Sequence, residues 1–214
     1  MNKIYIALFF ILYFQYCSSI EVGEHIKLPD PEITGGMTLN EALNNRKSSR
    51  DFDETKKIDL QTLSQALWSC NGVNRPNGYR TTPSATSWFP LIIYAFLEDG
   101  VYRYEQKENM LTKVVDGDKR SKTGTQKEVV TKAAVNFIIF GDFKKKSSMD
   151  GDDEHKIRSI YLDTGHCTMG LSLFASAHNM KGVVRGMVHS EPLKELLGLN
   201  KEDYLFSLAF SLGY

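Results

Sequence analysis

Five consecutive residues, Arg46-Lys47-Ser48-Ser49-Arg50, carry the densest chemistry in the sequence. Two guanidiniums four positions apart, with hydroxyls between them, can make forked hydrogen bonds to a phosphate. The same pentapeptide suits the end of a helix, where cations complement the dipole, so both readings stay open. A second polar cluster, Arg75-Pro76-Asn77-Gly78-Tyr79-Arg80-Thr81-Thr82-Pro83-Ser84-Ala85, ends in small residues just before an apolar run. It can lay backbone amides and hydroxyls along the edge of a flat heterocycle, or it can be an ordinary surface loop. Gly117-Asp118-Lys119-Arg120 and Thr123-Gly124-Thr125-Gln126 form a third cluster. Arg185-Gly186 lies between apolar stretches, and a guanidinium buried there needs a partner, either a carboxylate or a bound anion.

Other chemistries have no footing. The sequence has no Gly-x-Ser-x-Gly elbow, His-Glu-x-x-His pair, Walker loop or Gly-x-Gly-x-x-Gly turn. His25, His155, His166, His178 and His189 are scattered without metal-ligand spacing, and no metal is expected. The 26 basic and 26 acidic side chains cancel, which gives no reason to expect nucleic acid as a partner.

The elements that must position these clusters follow from the hydrophobic pattern. Thr38-Leu39-Asn40-Glu41 is a capping box and predicts a short helix over 39–46. Asp59 caps a second helix with Leu60, Leu63, Ala66 and Leu67 on one face, ending near Cys70. The apolar run 91–97 and the stretch 101–104 form a hairpin across Glu98-Asp99-Gly100, with a weaker strand at 111–115. A helix is expected over 126–132 and a buried strand over 134–140; the polar run 144–154 is a solvated loop. The spacing then predicts a long helix over 155–178, with Ile157, Ile160, Tyr161, Leu171, Phe174 and Ala175 inward. Its small residues Thr164, Gly165, Cys167, Gly170 and Ser172 invite close approach by another backbone. A strand over 183–188, a short helix capped by Ser190 and a strand over 204–212 complete one mixed α/β domain.

The sequence has 214 residues, 42% hydrophobic and 24% charged, an ordinary globular balance. Residues 1–19 read as a signal peptide, in which Lys3 precedes a short apolar run and Cys17 and Ser19 sit where cleavage requires small residues. The expectation is a secreted or exported protein with no stable membrane span once that segment is removed, anchored only if it is retained. Residues 20–36, with two prolines and Gly35-Gly36, read as an extended lead-in to a domain over 37–214. Cys70 and Cys167 could pair, but both read as buried small hydrophobes.

These clusters, in this order, resemble the nitroreductase family of FMN-dependent oxidoreductases, including its SagB-like dehydrogenase branch. The likeness rests on Arg46-Lys47-Ser48-Ser49-Arg50, Leu67-Trp68, Gly72-Val73-Asn74-Arg75, Arg80-Thr81-Thr82-Pro83-Ser84-Ala85 and Gly100-Val101-Tyr102. It continues through Ala133-Ala134-Val135-Asn136, Asp163-Thr164-Gly165, Val184-Arg185-Gly186-Met187 and Leu212-Gly213-Tyr214. The resemblance implies an α+β sandwich around a central, mostly antiparallel sheet, and a homodimer holding FMN at its interface. It implies that Arg46, Ser48 and Arg50 grip the FMN phosphate and ribityl chain. Pro83, Ser84 and Ala85 would reach the ring from the partner subunit, and Arg185 and Gly186 would lie against it. NAD(P)H would be the electron donor and a small electron-poor acceptor, a nitroaromatic or quinone, the recipient, in two steps and without a catalytic side chain. Ser87, Met169 and Gly170 depart from the family pattern. The alternatives are a SagB-like azoline dehydrogenase and a non-catalytic flavin-binding module.

Overall fold

Thr38 and Glu41 start the fold much as their types demand. The Thr38 N–H donates to Glu41 Oε2 at 2.9 Å and the Glu41 N–H to Thr38 Oγ1 at 3.3 Å, closing the capping box of α1 (Leu39–Asn45). The computed structural model of the protein describes residues 22–214; the segment expected at 1–19 lies outside the described residues. Asp59 caps α2 (Leu60–Asn71) by accepting from the Thr62 N–H at 2.8 Å. The remaining helices are α3 (Lys127–Lys132), α4 (Asp153–Ala177) and α5 (Ser190–Leu196).

The strands are β1 (His25–Lys27), β2 (Leu91–Phe96), β3 (Gly100–Glu105), β4 (Met110–Asp116), β5 (Val135–Asp142), β6 (Lys181–Arg185) and β7 (Tyr204–Gly213). They form one sheet in the order β1-β4-β3-β2-β5-β7-β6, with every neighbouring pair antiparallel. This is the α+β sandwich expected. The lead-in contributes β1, because Ile26 pairs with Leu111 and closes the sheet edge.

Both faces of the sheet are covered, which explains why β2 and β5 read as unbroken apolar runs rather than alternating ones. On one face Ile93, Ala95, Phe137, Ile139 and Phe210 pack under α2 and α4. On the other, Tyr94, Phe96, Ile138, Phe140 and Ala209 pack with Leu193 of α5. The close approach expected of α4 is made at Gly170: a Cβ there would overlap the Ser69 carbonyl of α2. Gly165 makes no such approach.

Three expectations are corrected. Ile157 and Tyr161 are 39% and 46% exposed, so the apolar residues of α4 occupy two faces, and of those expected inward only Ile160, Leu171, Phe174 and Ala175 point to the core. Leu60, in the first turn of α2, also faces solvent. Ser190 is the first helical residue of α5 rather than its cap; His189 takes the cap position and makes no side-chain cap bond. Cys70 and Cys167 are buried free thiols. Among the described residues no helix is long and apolar enough to cross a membrane.

Candidate functional site

The first cluster is placed by α1 and β6. Ala42 in α1 docks on α4, its carbonyl accepting from Ser176 Oγ at 2.7 Å. Arg46 ends α1 with its N–H on the Ala42 carbonyl and turns the chain into an extended conformation. Ser48 then bridges Gly182 in parallel, and the Ser49 N–H donates to the Gly182 carbonyl at 3.0 Å. Residues 48 and 49 thus lie along the free edge of β6. Alternation along an extended chain separates the side chains: Lys47 and Ser49 line one cavity of about 390 Å³, whereas Arg50 lines another of about 200 Å³. Arg46, Lys47 and Arg50 are exposed, and none of them meets a carboxylate among the described residues. Arg50 thus brings an exposed cation without a counter-charge to the smaller cavity, a wall suited to an anion.

Thr125, Gln126, Val184, Arg185, Gly186 and Met187 complete the smaller cavity. Gly186 leaves its side of the strand end open, since a Cβ there would meet no atom within 4 Å. Arg185 behaves differently. Its guanidinium is buried and turned inward, donating from Nε to Ser211 Oγ at 2.8 Å, from Nη1 to the Thr123 carbonyl at 2.7 Å and from Nη2 to Asn136 Oδ1 at 3.1 Å. Its partners are therefore neutral groups of the fold, and burial lowers its pKa to about 10. Gly124 has to be glycine for this to occur, because a Cβ there would collide with Nη1. The bond to Thr123 holds the turn that presents Thr125 and Gln126 to the cavity.

The second cluster sits elsewhere. Ser84 Oγ donates to Asp163 Oδ2 at 2.6 Å, the Ala85 N–H donates to Oδ1 at 3.3 Å, and Ser84 Oγ accepts from the Phe89 N–H at 2.8 Å. Burial of Asp163 raises its pKa. Just beyond, Thr86, Ser87 and Phe89 have φ of 51°, 57° and 50°. Left-handed backbone at three non-glycine residues stores strain of the kind that gathers at ligand clamps. Asp163 and Ser176 are thirteen positions apart on α4, about 20 Å along its axis. Arg50, Arg185 and Gly186 are brought together, while Pro83, Ser84 and Ala85 lie along α4 from them.

Sequence reasoning missed Asp163 as an anchor of this loop. Its signal was available: an acid in the apolar stretch of a long helix needs donors. Nothing local marks Asn136, Ser211 and Thr123 as the holders of Arg185, since they come from three distant segments.

A sequence model of the nitroreductase family matches residues 43–214. A nitroreductase-type protein of Methanocaldococcus jannaschii is 25% identical over 189 residues, covering 84% of this chain and 92% of that protein. The crystal structure of a nitroreductase-type protein from Ralstonia eutropha superposes with a TM-score of 0.82 at 30% identity, covering 91% of each chain. One from Desulfovibrio desulfuricans, solved in complex with FMN, shares the fold with a TM-score of 0.60 at 16% identity, over 84% of this chain and 87% of that one.

Proposed function

The chain belongs to the nitroreductase family of oxidoreductases, and from that premise we propose that it binds FMN and passes electrons from NADH or NADPH to a small electron-poor acceptor. The observation that carries this reading is exposed Arg50, free of carboxylate partners among the described residues, on the wall of the open cavity at Gly186. The FMN-bound relative of the same fold supports the choice of cofactor.

The residues present fit the group. Arg46, Ser48 and Arg50 would hold the phosphate and ribityl chain by charge-assisted hydrogen bonds. Gly186 would leave room for a flat ring at the end of β6, with Thr125 and Gln126 bordering it. Bound FMN would supply the two-electron redox chemistry between a nicotinamide and a nitroaromatic or quinone. The chain's own work is to fix position, exclude water and set the local field. No side chain is required as a general acid or base.

A second copy of the chain is part of the proposal. Ile157, Tyr161, Leu162 and Met169 expose apolar surface along α4, as the interface of a homodimer would require. The loop at Pro83, Ser84 and Ala85 would then cover the partner's ring. Export through the segment at 1–19 is likewise proposed, and the N-terminal sequence of the mature protein tests it.

The decisive experiment is the visible spectrum of the purified protein before and after addition of FMN, with its mass in solution. Flavin absorbance, a dimer mass and NADH or NADPH oxidation with a nitro acceptor are expected. A colourless monomer that ignores added FMN overturns the reading.

A further inference from the structure

Away from the cavity at Gly186, a polar cluster interrupts the contact between α2 and α4. The two backbones touch here: a Cβ on Gly170 would lie 3.7 Å from the Cys70 Cα. Cys167 stands three residues before Gly170, and both thiols are fully buried. Thr82 links the two, its hydroxyl donating to the Cys70 carbonyl at 3.2 Å and lying 3.5 Å from Cys167 Sγ. The Asn71 amide donates to Cys167 Sγ at 3.4 Å and to Thr82 Oγ1 at 2.8 Å. Arg80 donates to the Asn71 oxygen in turn. That guanidinium is 6% exposed, its Nε has no hydrogen-bond partner, and it meets no carboxylate among the described residues. A buried cation with no carboxylate beside it is costly, and a thiolate is the anion within reach of its relay.

We propose that Cys70 and Cys167 are a peroxide-sensitive thiol pair that closes into a disulfide joining α2 to α4. Cys167 is the attacking sulfur. Its polar neighbours Cys70, Thr82 and Asn71 hold its thiol below the ordinary value against the opposing effects of burial and Asp163, whereas Cys167 and burial push Cys70 up. The Cys167 thiolate attacks one oxygen of hydrogen peroxide; the S–O bond forms, the O–O bond breaks, and the departing hydroxide takes a proton to become water. The Cys70 sulfur then attacks Cys167 Sγ; the S–S bond forms, the S–O bond breaks, and the hydroxide leaves with the Cys70 proton as a second water. Two thiols are oxidised, and one peroxide receives both electrons. Peroxide is close to water in size, so brief local opening suffices to admit it.

The test treats the purified full chain with hydrogen peroxide and follows it by intact mass and peptide mapping. A loss of two hydrogens, a peptide joining Cys70 to Cys167 and full reversal by dithiothreitol are expected. In Cys70→Ala, Cys167 should stop at the sulfenic acid and be trapped by dimedone; in Cys167→Ala, Cys70 should stay unmodified. Mapping also separates any product at Cys17. Recovery of both sulfurs as free thiols overturns the proposal, as does their separate oxidation to sulfinic acids without a linked peptide. The wild-type peptide map decides even where an alanine variant does not fold.

Discussion

Arg50 and Arg185 line the same cavity, and their surroundings are opposite. Arg50 stands in solvent on an extended segment and has no counter-charge among the described residues. Arg185 is buried and uses three of its donors on Ser211, Thr123 and Asn136. The first arrangement leaves a cation available to something outside the fold. The second uses the same side chain as a brace, tying β6 to β7, to β5 and to the turn that carries Thr125. Residue type alone therefore does not separate an available arginine from a bracing one; the location of its hydrogen bonds does.

The sharpest way to break this contrast is Arg185→Met. Three groups lose their donor at once, and the expected cost is about 3–5 kcal/mol of folding stability, read from urea unfolding. With its pKa lowered to about 10, Arg185 gains relief from deprotonation only as pH climbs past that value. The cost should therefore be flat across neutral pH, from about pH 5 to 8. Arg46→Ala and Arg50→Ala come next and should do the reverse. Each should weaken FMN binding by ~10- to 100-fold in titration calorimetry, with the unfolding midpoint nearly unmoved. If either unfolds the protein as Arg185→Met does, the contrast is wrong. Gly124→Ala should fall between the two classes, costing about 1–3 kcal/mol by crowding Nη1 and loosening the turn beside the cavity. The smallest effect belongs to Thr38→Ala, about 1 kcal/mol from the lost cap of α1, with at most a few-fold loss of FMN affinity because α1 leads directly into Arg46.

Much of the frame was legible because its determinants are local. The capping box at Thr38 and Glu41, the cap at Asp59 and the apolar runs of β2 and β5 each announce an element within a few residues. Ile157 and Tyr161 were misplaced because α4 has a core face and an exposed apolar face, and spacing cannot tell one from the other. The cluster at 46–50 was legible as chemistry, and its relation to Gly186 was not, because the two segments meet only through β6. The partners of Arg185 lie 26, 49 and 62 positions away in the chain. The strain at Thr86, Ser87 and Phe89 was equally hidden, since none of these is a residue type that advertises a left-handed backbone.

The order of the strands bears on how the chain can assemble. β7, the last element in sequence, inserts between β5 and β6. Residues 181–185 therefore have no neighbour in the sheet until residues 204–213 have been synthesised, and the segment at Ser48 and Ser49 has no settled edge to lie along before then. Such long-range pairing is slow to form. During synthesis, the half of the molecule made first must wait for the last ten-residue strand before the edge that seats Ser48 and Ser49 exists.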